Sequence, residues 1–326
     1  MVGQPDVIRT DERGEDVGVI GAASGDFAIG EENTWSLTVP DSDAPGRDCF
    51  VYVDGTEFGG VVDDIETTSG RAGTTVSGRT WHGMLASLVT CPPAGQAHAV
   101  LSGEANACIA RVLSLSGAGA PFSASGEGSG LTVPSTQLPR YCDAYEAMRR
   151  LCRAAGASLS VSYSRGTCVL SAVPAVDSSR YSDAAGFTLR RIRPVNHLVC
   201  LGSGEMEQRA VVHLYADEQG RVSREQSIFG AAHMADVYEL SNAEDEAELV
   251  SKGTEELLSR QAADEADMDD LADAGYRLWQ TVTSYDEDRG VSVSKEVTKA
   301  IARVSGRSVR VEYQVGQVED GGTEPA

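Results

Sequence analysis

Apolar and polar positions alternate along much of the chain, which is the pattern of half-buried β-strands. In the first ninety residues the strand candidates are 26–29, 34–39, 49–53, 58–65 and 74–80. Asp54 and Gly55 stand between two of them, and this dipeptide favours a tight hairpin. A short helix follows over 81–89. Short strands joined by turn residues predict a small β-barrel-like domain over residues 1–93.

The apolar period changes from two to between three and four after residue 93, which indicates helices. The elements predicted here are helices over 104–115 and 144–155 and strands over 158–163 and 167–173. Asp143 is the expected N-cap of the second helix, and Gly156 ends it. Two helices followed by a hairpin predict an α+β domain over 94–185, inserted between two β segments.

Strand patterns return from residue 186, and they predict a second β-barrel-like domain over 186–315. This domain includes an acidic helix over 242–270, since residues 242–273 hold 12 acidic residues against Lys252 and Arg260. We interpret the helix as having a solvated acidic face. Residues 316–326 are predicted to be a disordered tail. The predicted fold class is α+β, mainly β, with two small β-barrel-like tube domains, the inserted domain and the long acidic helix.

The net charge of the chain excludes one class of partner. There are 49 acidic residues against 27 basic ones, a formal charge of −22. A surface this acidic repels phosphate backbones, so we expect no specific nucleic-acid binding. No apolar run is long enough for a membrane anchor, and the N-terminus does not resemble a signal peptide. We expect a chain made in the host cytoplasm.

Residues that carry chemistry do not form a recognisable motif. The seven cysteines include no Cys-x-x-Cys pair and are expected to be free, mostly buried thiols. None of the five histidines lies four residues from another, so no metal site is predicted, and His197 and His213 are interpreted as strand histidines. Gly202 and Gly204 lack the third glycine of a dinucleotide loop, where Glu207 stands. We predict no catalytic residue, no metal and no cofactor.

Paired carboxylates are the enzymatic alternative that remains. With 49 acidic residues, some pair lies at glycosidase distance by chance, and the low aromatic content of 6% offers little platform for a sugar. The prediction is therefore that the chain is not an enzyme.

Two groups of residues carry a resemblance to a known family. The first is the run 55–62 (GTEFGGVV) with 76–85 (VSGRTWHGML), and the second is 196–205 (NHLVCLGSGE) with Arg209 and 212–217 (VHLYAD). With 102–106 (SGEAN) between them, the chain resembles the siphophage and prophage tail protein family of baseplate hubs and tail-associated proteins. The structural motif residues are Glu57, Gly59, Gly60, Gly78, Arg79, Trp81, Gly83, Leu85, Asn196, His197, Gly202, Gly204, Arg209 and Tyr215.

The resemblance implies a fold similar to the trimeric tail hub, with two β-barrel-like domains lining a ring and an α+β domain inserted between them. It also implies a homotrimer at the distal end of the tail tube, with the distal tail and tail-tube proteins as partners and the tape-measure protein as a further candidate. Two similar units in each of three subunits would match a sixfold tube. The implied location is the tip of the virion tail.

In this role the motif residues would act through shape. Gly59 and Gly60 would let strands bend sharply, Trp81 and Leu85 would close the barrel mouth, and Arg79 would pair with Glu57. We therefore expect a structural tail protein that acts by ring assembly. Two alternatives stay open: a tail-associated peptidoglycan hydrolase that uses an Asp/Glu pair, and a module that binds a host receptor or glycan.

Overall fold

The chain divides into two compact units in a computed structural model that describes residues 5–70, 72–175, 186–191, 193–204, 206–243, 245–261, 264–269, 271–272 and 275–316. Unit 1 comprises Met1–Gly186 and Met268–Ala326, and unit 2 comprises Phe187–Asp267. Within the described residues the fold is α+β and mainly β, and none of the sheets closes into a barrel.

The N-terminal region of unit 1 is built from short strands and one short helix. They are β1 (Val7–Thr10), β2 (Asp16–Val19), β3 (Ala23–Gly30), β4 (Thr34–Val39), β5 (Phe50–Val53), β6 (Gly59–Val61), β7 (Asp64–Thr67), β8 (Thr74–Arg79) and α1 (Trp81–Ala86). Four of these strands form a sheet in the order β2-β1-β5-β6. Residues 54–58 join β5 to β6, and Asp54 and Gly55 are the central residues of a turn in which the Thr56 amide donates to the Val53 carbonyl at 3.2 Å. Gly55 has a positive φ of 70° there.

The α+β region follows, and its helices pack against a three-stranded sheet. Its elements are β9 (Val100–Glu104), α2 (Ala105–Leu115), β10 (Phe122–Ala124), β11 (Thr132–Gln137), α3 (Ala144–Ala154), β12 (Ala157–Ser164) and β13 (Thr167–Pro174). The sheet order is β10-β13-β12, while β9 and β11 form a separate pair. Asp143 caps α3 as predicted, because its side chain accepts a hydrogen bond from the Glu146 amide at 2.8 Å.

Unit 2 has its own small core. Its elements are β14 (Phe187–Arg191), β15 (His197–Leu201), β16 (Val211–Ala216), β17 (Val222–Ser223), β18 (Ala235–Glu239), α4 (Glu246–Ser259) and β19 (Asp264–Met268). Four strands form a sheet in the order β17-β16-β15-β18, and one face of it packs against α4. Leu198, Leu214, Leu249 and Leu257 are buried there.

The C-terminal strands return to unit 1. They are β20 (Leu271–Ala272), β21 (Thr281–Asp286), β22 (Val291–Gly306) and β23 (Ser308–Gly316). They join a large sheet in the order β20-β23-β22-β3-β4-β8-β7, with β21 paired to β22. Residues 299–306 of β22 pair with β3 in antiparallel register. This sheet therefore contains four strands from the N-terminal region and four from the C-terminal region, and the two halves meet at β3 and β22.

Two sequence expectations differ from this arrangement. The acidic helix predicted over 242–270 is limited to α4, and 264–268 form β19. The helix ends early because its buried positions, Leu249, Gly253 and Leu257, do not continue beyond Leu257. The expected second β domain over 186–315 also groups differently, because β21 to β23 pair with the N-terminal strands. Of the predicted tail 316–326, Gly316 belongs to β23 and the other residues lie outside the described ranges.

Candidate functional site

The motif glycines of unit 1 lie where two N-terminal sheets touch. Gly60 of β6 pairs with Thr80 after β8. A methyl group on Gly60 would lie 2.0 Å from the carbonyl oxygen of Arg79, and one on Gly78 would lie 2.0 Å from that of Val61. Such distances are far inside van der Waals contact, so only glycine allows the two backbones to approach this closely.

The other two motif glycines serve the same kind of contact around α1. A methyl group on Gly59 would lie 2.5 Å from Cβ of Tyr52 and 2.7 Å from the indole nitrogen of Trp81. One on Gly83 would lie 2.2 Å from the carbonyl oxygen of Asn33. The predicted role of Gly59 and Gly60 in bending strands therefore gives way to a role in close packing.

Trp81 and Leu85 connect the N-terminal strands to the α+β region. Both side chains are fully buried. The indole of Trp81 stacks on the ring of Tyr163 in β12, with centroids 4.7 Å apart, and contacts Phe50 of β5 at 5.3 Å. Burial of an aromatic side chain of this size stabilises the fold by about 3 kcal/mol. These residues thus occupy a core between two regions, and the described sheets offer no barrel mouth for them to close.

The expected pair between Arg79 and Glu57 is wrong. Arg79 binds Asp63 with two side-chain hydrogen bonds, from Nε at 2.8 Å and from a terminal nitrogen at 2.7 Å. The two residues meet where the pairing of β7 with β8 ends, and the backbone amide of Arg79 also donates to the Asp63 carboxylate at 3.0 Å. Glu57 lies in the turn before β6. The Arg79 guanidinium holds the pKa of Asp63 below its usual value.

Glu57 instead belongs to a buried polar group. Its carboxylate lies 4.0 Å from the imidazole of His82, and its side chain is 26% exposed. Desolvation raises the pKa of Glu57 to about 7 against the attraction of Arg277, and it lowers the pKa of His82 to about 4. The ring of Tyr145 contacts His82 edge-on at 5.1 Å, and its hydroxyl accepts a hydrogen bond from Trp279 at 3.0 Å.

A cavity of about 260 Å³ lies beside this group, between α3 and the C-terminal strands. Arg153 donates a hydrogen bond to Glu296 at its wall, and the Arg149 guanidinium lies 4.3 Å above the ring of Trp279. Among the described residues that line the cavity, Glu296 is the single carboxylate. A glycosidase of the two-carboxylate type requires a second one, so this cavity does not supply the Asp/Glu pair of the hydrolase alternative.

The two ends of the eight-stranded sheet differ in charge. At one end β7 pairs with β8 alone among the described strands, and all four of its residues, including Asp64 and Glu66, are exposed. At the other end the outermost strand is the short β20, which pairs with Glu312 and Tyr313 of β23. Beyond it, Arg307 in the turn between β22 and β23 and Arg310 near the start of β23 are exposed. The sheet is therefore open, with an acidic strand at one edge and arginines beside the other.

The remaining motif residues lie in unit 2 and are mostly structural. The amide of Asn196 donates to the Ala232 carbonyl at 2.7 Å and accepts from the Met234 amide at 2.9 Å. Gly204 has a φ of 101°, where a side chain would be strained. Arg209 donates to the carbonyl oxygen of Gly202 at 3.2 Å.

His197 and Tyr215 belong to a row of rings on the sheet face opposite α4. His197 stacks on Tyr215 at 4.4 Å and lies between His213 and His233, with hydrogen-bond distances of 2.9 Å to each. We name the three imidazoles the histidine ladder. Sequence reasoning missed it because the partners lie 16 and 36 residues from His197. The one usable signal was that His197 and His213 both fall in predicted strands.

The described residues contain no cluster of three or more histidine, cysteine, aspartate or glutamate side chains with the geometry of a metal site. Nor does any helix in the described ranges have the length and apolar character needed to span a membrane.

No protein-family model matches the chain, and no curated protein matches it. Among solved structures, it is similar to the 43 kDa tail protein of prophage MuSo2 from Shewanella oneidensis, with a TM-score of 0.44 and 13% identity over 96% of this chain and 98% of that one. The solved structures that match are tail proteins, the kind of protein that the sequence motifs resemble. The prophage tail protein gp18 from Listeria monocytogenes matches with a TM-score of 0.47 and 11% identity over 97% and 95% of the two chains. A tail protein from Neisseria meningitidis matches with a TM-score of 0.42 and 13% identity over 96% of both.

Proposed function

We propose that the chain is a structural subunit of a phage or prophage tail, which assembles into a homotrimeric ring at the distal end of the tail tube. The observation that carries this proposal is the eight-stranded sheet, to which the two ends of the chain contribute four strands each. We interpret the two halves as the two similar β units that each subunit contributes to the ring. Three subunits then present six units to a sixfold tube.

The difference in charge between the two edges of the sheet favours a ring over a twofold dimer. Exposed edge strands are ready sites for pairing with a second chain, and charged side chains on them decide which partner is accepted. An acidic edge on β7 repels a second copy of itself and attracts the arginines beside β23. Head-to-tail contacts of this kind close into a ring when the rotation between subunits allows it.

The partners follow from the same proposal. A ring at the end of a tube contacts the tail-tube and distal tail proteins on its two faces, and the tape-measure protein is a candidate for its centre. The role is structural and needs no reacting group. Clearing of Gram-positive cell walls in a zymogram by the purified chain would contradict it and favour a hydrolase.

Native mass spectrometry over a range of protein concentrations tests the ring. We expect trimers whose population falls at high salt, because the contact pairs acidic with basic residues. Asp64→Arg with Glu66→Arg should abolish the trimer, and so should Arg307→Glu with Arg310→Glu. A chain that carries all four changes should form trimers again.

The matched control is a reversal of two exposed charges in unit 2, Glu218→Arg with Glu225→Arg, which should leave the trimer intact. A closed dimer in the unchanged chain would contradict the ring. Loss of the trimer in both chains with one reversed edge, with no recovery in the fourfold variant, would contradict the pairing of these two edges.

A further inference from the structure

The histidine ladder joins three separate segments of unit 2. His197 begins β15, His213 lies in the neighbouring β16, and His233 lies just before β18. Nδ1 of His197 is 2.9 Å from Nε2 of His233, and its Nε2 is 2.9 Å from Nδ1 of His213. The ring planes are within 28° of parallel. Both nitrogens of the central imidazole are thus occupied by other histidines.

This arrangement limits how many protons the ladder can hold. Each of the two nitrogen–nitrogen contacts needs one proton, which one imidazole donates and the other accepts. The two outer nitrogens, Nε2 of His213 and Nδ1 of His233, can each carry one more. Three neutral imidazoles hold three protons and one added charge makes four, so both contacts survive a single protonation. A fifth proton places two N–H groups against each other and breaks a contact.

The His233 contact fastens the segment 230–234 to the sheet. The other attachments of this segment are the Asn196 side chain, which bonds Ala232 and Met234, and the Met234 carbonyl, which accepts from the amides of Asn196 and His197. His233 is the ring that extends from this segment over the sheet face. Loss of the His233 contact therefore removes the attachment of residues 230–234 that carries a titratable group.

Few other charges face the ladder in the described part of unit 2. β16 contributes His213 and Tyr215, the segment before β18 contributes His233, and Asp236 of β18 pairs with Arg260 instead. The charged groups that act on the central His197 are the two neighbouring imidazoles, and these disfavour a further positive charge. Desolvation and then the two neighbouring imidazoles lower the pKa of His197.

We propose that the histidine ladder is a proton-operated latch, which holds the segment 230–234 on the sheet while it carries at most one added proton and releases it on taking up a second. The latched state accepts the second proton poorly, so the stabilisation of this segment is present above the ordinary histidine pKa and is lost as pH falls through the lowered pKa of His197. The latch goes beyond the proposed assembly function and does not depend on it.

Hydrogen exchange measured by mass spectrometry at pH 7.5 and pH 5.0, each corrected for the intrinsic rate, tests the latch in the full-length chain with EDTA present. In the unchanged chain, protection of the amides of 230–235 should fall by about tenfold or more at the lower pH. In His233→Gln and in His197→Gln, protection should be low at pH 7.5 already and should change little with pH. Nitrogen-15 imidazole spectra should show the hydrogen bonds of His197 to its two neighbours breaking at the same transition.

His98→Gln is the matched control, since this histidine lies outside the ladder, and it should keep the full acid-induced loss. Equal protection at both pH values in the unchanged chain would overturn the proposal, and so would an unaltered acid-induced loss in His233→Gln. If protection at pH 7.5 appears with added zinc and is absent in EDTA, a metal bridge and not a proton latch holds the segment. Protection of the β15 and β16 amides that line the core reports whether each variant is folded.

Discussion

At the scale of single residues, the motif of unit 1 is a set of close contacts. Gly60 and Gly78 have ordinary backbone angles, so their glycine identity reflects the backbone opposite them and not their own conformation. This separates them from Gly204, where the positive φ is itself the reason for glycine. The difference can be measured, because an alanine at Gly60 or Gly78 would place a methyl group against the opposite backbone.

Gly78→Ala should lower the free energy of unfolding of unit 1 by about 3 kcal/mol, because the new methyl group would press on the Val61 carbonyl oxygen. Chemical denaturation followed by tryptophan fluorescence measures the loss. Gly18→Ala is the control. No atom lies within 4 Å of the methyl group added at this strand glycine, so the variant chain should be slightly more stable. Equal changes in the free energy of unfolding for the two variants would show that backbone entropy, and not steric contact, determines the effect of the added methyl group.

A second prediction at this scale concerns how Glu57 makes the stability of the fold depend on pH. Its pKa is about 7 in the folded chain against an ordinary 4.5, so its contribution to stability is present below pH 4.5 and is lost as pH rises through 7. Glu57→Gln should remove this loss and raise stability at pH 8 by about 1–2 kcal/mol. Thermal unfolding from pH 5 to pH 8 measures it, with the exposed Glu225→Gln as control. If the stability of Glu57→Gln depends on pH in the same way as that of the unchanged chain, Glu57 is not the group responsible for the loss.

At the scale of elements, local signals and packing act together in α3. Asp143 supplies the cap, and the buried Tyr145, Met148 and Leu151 fix the helix against the core. α4 shows the opposite case, because the acidic sequence continues past the helix, whose last buried position is Leu257 and which ends at Ser259. Length of an element is thus set by where its buried face stops.

Asp143→Ala should cost about 1 kcal/mol of stability, because it leaves the Glu146 amide in the first turn of α3 without its acceptor. Asp143→Asn keeps an acceptor oxygen and should lose much less. Urea denaturation of the three chains gives the comparison. If the asparagine variant loses as much as the alanine variant, the negative charge near the helix N-terminus, and not the cap hydrogen bond, is the stabilising feature.

At the scale of the whole molecule, unit 2 is an insertion with neighbouring ends. The Asp269 amide donates to the Gly186 carbonyl at 2.9 Å, so the chain leaves and re-enters unit 1 at nearly one point. The large sheet of unit 1, by contrast, needs both ends of the chain, since β22 pairs with β3. The Glu32 and Lys299 side chains form an ion pair across this junction.

Replacement of residues 187–267 by a short glycine-serine linker should therefore leave unit 1 folded, with a single cooperative thermal transition. Circular dichroism and limited proteolysis check this. The contrasting chain ends at Gly275 and lacks β21 to β23, and it should not fold, because β3 and the strands behind it lose their partner. A folded truncation, or an unfolded linker chain, would contradict this division of the molecule.

The sequence by itself determined the elements whose signals are local. Three such elements are the alternation over 34–39, the turn at Asp54 and Gly55 and the cap at Asp143. Each depends on residues a few positions apart, so the local sequence is enough to predict it. The same kind of signal predicted the order of β, α+β and β segments along the chain, and the motifs carry the resemblance to tail proteins.

Only the tertiary structure decided which distant segments meet. The junction of β22 with β3, the pair of Arg79 with Asp63, and the ladder around His197 all join residues that no short-range pattern relates. Strand edges offer the same hydrogen-bonding groups at every residue, so the choice of partner depends on the shape and charge of the whole assembled sheet. A histidine in a strand therefore shows its chemistry only when the register places another ring beside it.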